Sequence, residues 1–328
     1  MTTDVELASA GATDRRPVAA GGLALALASA AAFATSGPFA KSLLDAGWTP
    51  GAAVTTRISV AGAVLSVPTV LSLRGRWSSL RRNAGLVTLY GLVAVAGCQF
   101  AYFNAVRTLS VGVALLLEYL GLILVVAWNR LVQRHPLTRA TVAGVVLAVV
   151  GLVLVLDLFG GGSKVDVVGV LWGLAAAVGL ATFFVASAHD SSGLPPIAMA
   201  GAGMLIGAVA LCVAALTGLL PFEWATEDVT LADVVLPWWV PVVGLSVVAG
   251  ALSYATGIAA ARRLGAKVAA FAGLTEVLFA VVFSWILLDQ ALSVTQIVGG
   301  VLILGGVAVV RSDASEVEVP TVGAEALP

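Results

Sequence analysis

The sequence predicts an all-α integral membrane protein of ten transmembrane helices, arranged as two inverted five-helix repeats. Three observations predict it. Of 328 residues, 60% are hydrophobic and only 11% are charged, against about 25% charged in a soluble domain. With so few charges a water-facing surface cannot be covered, so lipid is the main solvent. Apolar stretches of roughly 20 residues, the length that crosses a hydrocarbon core of about 30 Å, recur along the chain. The pattern of residues also repeats at a period of about 150.

Taken in order, the apolar spans cover residues 18–40, 50–73, 84–103, 109–129, 139–157, 166–187, 196–219, 236–258, 266–288 and 291–310. Helix is the form they must take, because backbone groups in lipid bond within their own segment and no strand alternation is visible. Arg15-Arg16 and the small residues Ala28-Ser29-Ala30 around the first run also fit a signal peptide. That run is as long as a full span, beyond the roughly 7–15 residues of a signal core, and it completes the repeat. It is read as span 1. Residues 1–17 and 311–328 are polar tails, expected in the cytoplasm, around a first repeat at 18–157 and a second at 166–310. No soluble domain is expected.

Basic residues orient the spans. With the N-terminus inside, the inner segments carry Arg15, Arg16, Arg74, Arg76, Arg81, Arg82, Arg130, Arg134, Arg139, Arg262, Arg263, Lys267 and Arg311. The outer segments carry only Lys41, Arg107 and Lys164. Thirteen against three is a strong positive-inside bias. The loop between spans 7 and 8 holds Glu223, Glu227, Asp228 and Asp233 and no basic residue, as an outer loop can.

Spans 4 and 5 read Glu118-Tyr-Leu, Trp128, Gly144, Gly151, and spans 9 and 10 read Glu276-Val-Leu, Trp285, Gly299, Gly306. Upstream, Tyr102 and Leu109 match Tyr254 and Leu264, and Pro50 matches Pro196. Five spans per copy is an odd number, so the second copy is inverted. Inverted repeats are the architecture of alternating-access carriers, whose site lies near the midplane between the halves. The chain resembles the EamA-type branch of the drug/metabolite transporter superfamily. Lys41 after span 1, Arg57 following Pro50, the run Ala114-Leu-Leu-Leu-Glu118-Tyr-Leu, and the paired segments Leu137–Gly144 and Leu292–Gly299 carry the resemblance. Tyr119 and Val277 stand where that family often has proline, and His135 and Asp289 where it often has glutamate before the last helix of the unit. The resemblance implies a secondary transporter, with export of amino acids and other metabolites the commoner direction and import the other; the Ala-, Gly- and Val-rich, Lys-poor composition points to the plasma membrane.

Three ionisable residues lie deep in spans: Arg57, Glu118 and Glu276. Each costs about 2.5–3.5 kcal/mol at a helix centre on insertion scales, so each should face the bundle interior. Glu118 lies about 13 Å down from the outer end of span 4, and Glu276 about 13 Å up from the inner end of span 9, by the helical rise. They read as a proton-titrating or ammonium-binding pair; packing elements, neutral or salt-bridged, are the alternative. Arg57 stands about 10 Å deep, a depth at which it can pair with Glu118. A carboxylate clamp for substrate, a structural ion pair and a side chain reaching the outer interface are its three readings. On this basis Glu118, held ionised by Arg57, is the structural acid, and Glu276 the proton carrier. Gln99 and Tyr102 one turn apart, Tyr254, Trp172 and Phe33 are weaker candidates for the cavity wall, interfacial placement being the other reading for the tyrosines. Seven-residue glycine spacing in spans 5 and 10, and the stripe Ser246, Gly250, Ser253, Gly257 in span 8, let helices approach closely, with homodimer contact as the alternative. Pro38, Pro68 and Pro241 kink or end spans.

The competing classes are a membrane-embedded enzyme, a non-transporting sensor and a channel. Histidines 135 and 189 fall in loops, Cys98 and Cys212 in apolar runs. That leaves no metal spacing, no clustered nucleophile and no expected cofactor. No phosphate-binding loop motif points to ATP as the drive. A net charge of −1 argues against nucleic acid. The expected partners are a small-molecule substrate and membrane lipid.

Overall fold

The computed structural model describes residues 15–133, 138–156, 166–188, 193–264 and 274–317. Arg134, His135, Leu137, Lys164, His189, Lys267, the first part of expected span 9 and the outer portions of both tails lie outside the described residues. Among the described residues, six helices are long and apolar enough to cross a membrane: Gly21–Asp45, Pro50–Ser72, Ala84–Thr108, Val167–Ser187, Pro196–Leu216 and Trp239–Ala260. Four shorter apolar helices, Val111–Val125, Val142–Val155, Thr275–Leu288 and Val294–Val309, fall on the remaining expected spans.

Span 1 is two helices, α1 (Arg15–Ala34) and α2 (Ser36–Asp45), running five residues past the expected end. The break falls at Thr35, where Pro38 lacks the N–H that would bond Ala34. Thr35 Oγ1 donates to the carbonyl of Ala32 (2.6 Å), within the turn that ends α1. Span 2 is α3 (Pro50–Ser72), with Pro50 in its first turn and Thr49 Oγ1 accepting the amide of Ala52. A short α4 (Trp77–Arg82) leads to span 3, built from α5 (Ala84–Leu89), a π-helical stretch at Tyr90–Gly97 and α6 (Cys98–Thr108). Span 4 is also broken, into α7 (Val111–Tyr119) and α8 (Gly121–Gln133), at Leu120. Beyond it lie α9 (Arg139–Val155), α10 (Val167–Ala188) and α11 (Pro196–Leu216).

The acidic loop after α11 holds the two strands found among the described residues. Strands β1 (Val229–Leu231) and β2 (Val234–Leu236) pair antiparallel around Ala232 and Asp233, both at positive φ. Leu236, expected to open span 8, therefore belongs to a strand. Span 8 is α12 (Trp239–Val243), a second π-helical stretch at Gly244–Leu252 and α13 (Ser253–Leu264), with Pro241 just ahead of the π turn. The last helices are α14 (Thr275–Leu288) and α15 (Val294–Val317), the latter seven residues into the expected tail. A reciprocal cap opens α15: the Gln296 amide donates to Ser293 Oγ, and the Ser293 amide to Gln296 Oε1.

Packing is set by small residues. Along α9 and α15, a methyl built on Gly151 would lie 2.5 Å from the carbonyl oxygen of Gly299, and one on Gly299 would lie 2.6 Å from that of Gly151. Gly306 meets the carbonyl of Gly144 in the same way (2.4 Å). The stripes are thus filled within the chain. α3 lies along α11, and α1 against α13 and α14, while α10 lies against α6 and α7. The π stretch of span 8 packs on α3, and that of span 3 on α11. Trp128 and Trp285, the matched tryptophans, are both exposed on the outer surface of the bundle.

Candidate functional site

Arg57, on α3, is buried, and its guanidinium has defined partners. It donates to Gln99 Oε1 on α6 and, at 3.3 Å, to the carbonyl of Ala249. Ala249 lies in the second π stretch, whose wider turn leaves carbonyls open to partners other than the helix. The rings of Phe33 and Phe103 flank the guanidinium, with centroids 5.3 and 5.7 Å from Cζ, a geometry that attracts a cation to the negative ring face. Span 1, span 2, span 3 and span 8 therefore meet at this side chain. The expected pairing with Glu118 is not present: among the described residues the ion pair is Lys41–Asp45, at 2.7 Å. Depth in a span sets height, and it does not set which way a side chain turns.

Two bonds and two rings make Arg57 a strong point of the fold. Arg57→Met keeps length and leaves the amide of buried Gln99 without its partner, which costs about 1–3 kcal/mol. Thermal unfolding in detergent is expected to fall by several degrees, and Arg57→Lys to recover little of it, since an ammonium lacks the fork that reaches both acceptors. Unfolding of Arg57→Met at the parent temperature would remove this role.

Each acid has a neutral donor. Glu118 is buried at the end of α7, where Oε1 lies 3.3 Å from the Cys98 thiol of α6, which also reaches the carbonyl of Ala176 (3.4 Å). Gly179 is what lets Cys98 sit there, since a methyl on it would lie 2.4 Å from Cys98 Cβ. Glu276 opens α14 and is half-buried. The Tyr119 hydroxyl of α7 donates to its Oε2 at 3.1 Å. The acid also borders an open cleft walled by Ala26, Ser29, Ala30 and Phe33 of α1 and by Gly257 and Ala260 of α13.

The other candidates divide. Phe33 joins the site twice, against Arg57 and against Tyr254, whose ring centroid is 6.1 Å away. Gln99 holds Arg57. Tyr102 is buried beside Phe103, ring centroids 6.0 Å apart, with its hydroxyl close to Gly37 at the break in span 1. Trp172 packs edge-on against Phe100 at 5.6 Å, and its described ring contact is with that residue and none of the ionisable ones. Sequence reasoning missed Cys98, Phe103 and Tyr119. Tyr119 carried a signal, as a hydroxyl next to an intramembrane acid where proline is common. Cys98 and Phe103 looked like ordinary span residues.

Apolar helices of membrane length, with an arginine and two carboxyls gathered inside the bundle, define a multi-pass membrane protein with a polar interior. The chain belongs to the EamA-like transporter family, whose model matches residues 20–157 and again 167–312. It is similar to the uncharacterized transporter YyaM of Bacillus subtilis (strain 168), 23% identical over 272 residues that make up 79% of this chain and 84% of the relative. A protein of known crystal structure, 21% identical, matches 94% of this chain and 99% of its own with a TM-score of 0.56, a likeness of fold alone. The chain is a membrane transporter and not an enzyme.

Proposed function

We propose that the chain exports small metabolites, amino acids or related compounds among them, across the plasma membrane by proton-coupled alternating access. The observation that carries this reading is the pair of central acids, one from each matched segment, each held by a neutral donor. A carboxyl bound to a thiol or a hydroxyl can load and release a proton without stranding a cation, as one locked to arginine cannot. The reading takes ten spans in two inverted halves with both termini cytoplasmic. Its support is the exchange symmetry of the helix neighbours. Swapping halves turns the contact of span 1 with span 8 into that of span 6 with span 3, and span 1 with span 9 into span 6 with span 4. Spans 5 and 10, and spans 2 and 7, exchange with each other.

The test is reconstitution in liposomes loaded with a carbon-14-labelled hydrolysate of cell protein. Efflux is expected to need the chain and to quicken when the outside is made acidic, and a protonophore should cancel the gain. Efflux that the chain does not raise ends the transport reading for this substrate class, and a flux indifferent to the gradient ends the coupling. Topology has its own check. Single cysteines near Asp228 should react with an impermeant maleimide from outside the cell, and those near Arg76 only after the membrane is opened. Labelling of both from one side defeats the ten-span arrangement.

A further inference from the structure

We propose that Tyr119 is a positioning residue for Glu276, and that its hydroxyl holds the acid of the second half from the first half in one conformational state only. The inference rests on the two-half reading given under Proposed function. Glu118 and Tyr119 are the last two residues of α7, immediately before the break at Leu120. Successive residues on a helix point about 100° apart, so the two side chains serve different neighbours. Glu118 turns to Cys98 on α6, within its own half. Tyr119 turns to Glu276 on α14, in the other half.

The two-fold pattern of the chain is broken at this point. The position matching Tyr119 is Val277, which is buried and whose side chain has no hydrogen-bonding atom. Glu118 therefore cannot receive the reciprocal bond. One acid is bound inside its half and the other across the seam. α6 and α7 pack with α10, and α13 and α14 pack with α1; when these two groups rock against each other, a bond inside one group travels with it, while a bond between them must be made in one state and broken in the other. Among the described residues, the Tyr119–Glu276 bond is of that kind. In the arrangement described, Glu276 borders the open cleft between α1, α13 and α14 while Tyr119 holds its Oε2. Losing the hydroxyl removes a tie that favours this state and frees the carboxyl to turn.

The titratable groups around Glu276 among the described residues are Tyr119 and Glu118 on α7, Arg57 on α3, Cys98 and Tyr102 on α6 and Tyr254 on α13. A spectroscopic test separates Glu276 from them. The full chain in liposomes is compared by infrared difference spectroscopy between about pH 5 and about pH 9, bracketing a carboxyl whose environment departs from water. Carboxyl bands lost in Glu276→Gln and in Glu118→Gln assign the two acids. In Tyr119→Phe the Glu276 band is expected at higher frequency, as for a carbonyl without a donor, while the Glu118 band stays; Cys98→Ala should do the converse. A Glu276 band that does not move in Tyr119→Phe overturns the proposal.

A second arm needs no titration. Ser29→Cys places a thiol in the cleft wall, and its maleimide reaction is measured as the increase over the parent chain. Adding Tyr119→Phe is expected to slow that reaction about tenfold, the ratio for losing one hydrogen bond to a charged group. An unchanged rate overturns the proposal as well. If no band is lost in Glu276→Gln, the proton-coupling reading falls on its own and the labelling arm still decides whether Tyr119 is the tie.

Discussion

Glu276→Gln is expected to abolish accumulation driven by a pH gradient while the protein still reaches the membrane in parent amounts. Glutamine has the shape of glutamate and cannot titrate in this range. Its carbonyl still accepts from the Tyr119 hydroxyl, which lies 3.1 Å from Oε2 in the parent. No described cation forms an ion pair with Glu276, so neutralising it strands no charge in a medium where an unpaired one costs about 2.5–3.5 kcal/mol or more. Accumulation of the labelled hydrolysate should drop to the level of the parent without a gradient, a fall of up to about tenfold if one proton moves per substrate across a gradient of one pH unit. Exchange of substrate at equal pH should persist. Normal accumulation by Glu276→Gln across the pH range makes the residue a packing element and removes it from coupling.

Glu118→Gln divides the two acids further. Had Arg57 leaned on Glu118, this substitution would have stranded a buried guanidinium and cut the yield of folded chain. Arg57 is held by Gln99, Ala249 and two phenylalanine rings. The partner that Glu118→Gln disturbs is a thiol, a weak donor that a glutamine carbonyl serves almost as well. Folded yield is therefore expected to stay within about twofold, less than the loss expected of a buried ion pair. A collapse in yield would mean that Arg57 depends on the carboxylate after all.

How much of this was legible beforehand follows from what one dimension can encode. Apolar length located the spans, because the width of the hydrocarbon core admits few alternatives. Seven-residue glycine spacing marked α9 and α15 as helices that a neighbour approaches closely, but not that each is the other's neighbour. Depth along a helix put Arg57, Glu118 and Glu276 near the middle. Azimuth did not follow, because the partner of a buried polar group depends on which neighbours three-dimensional packing supplies. That is why Arg57 was given to Glu118 and went to Gln99. The breaks at Thr35 and Leu120 differ in the same way: Pro38 marks the first in the sequence, while the second is followed only by Gly121, which lies against the carbonyl of Ala177 in α10. The hairpin at Val229–Leu236 was hidden by hydropathy, since its valines and leucines extend the apolar run of span 8. Its amide at Ala232 bonds the carbonyl of Leu287, and Trp48 donates to the carbonyl of Ala225, so the loop is tied to span 9 and to the connection between spans 1 and 2. Neither tie involves residues close in sequence.

Gly299→Leu should prevent stable folding, and Gly299→Ala should weaken it measurably. At this crossing backbone meets backbone. A methyl on Gly299 would stand 2.6 Å from the carbonyl oxygen of Gly151 and 2.8 Å from the amide nitrogen of Val155. Neither atom can swing aside as a flexible side chain can, so α9 and α15 must separate. Overpacking of this kind costs about 1–3 kcal/mol for a methyl and more for a larger group. In lipid the loss is not offset by a hydrophobic drive, since close backbone packing is itself what joins such helices. Gly151→Ala should cost a similar amount, because its methyl would meet Gly299 oxygen at 2.5 Å. The pair should cost less than the sum of the two, because the separation forced by one methyl already makes room for the other. Gly305, on the same helix with open space around its Cβ position, is the control. Gly305→Ala should leave thermal unfolding in detergent unchanged or slightly raised, by the better helix propensity of alanine. Additive losses for Gly151 and Gly299, or a loss at Gly305 equal to theirs, would mean that the two helices do not meet where these glycines place them.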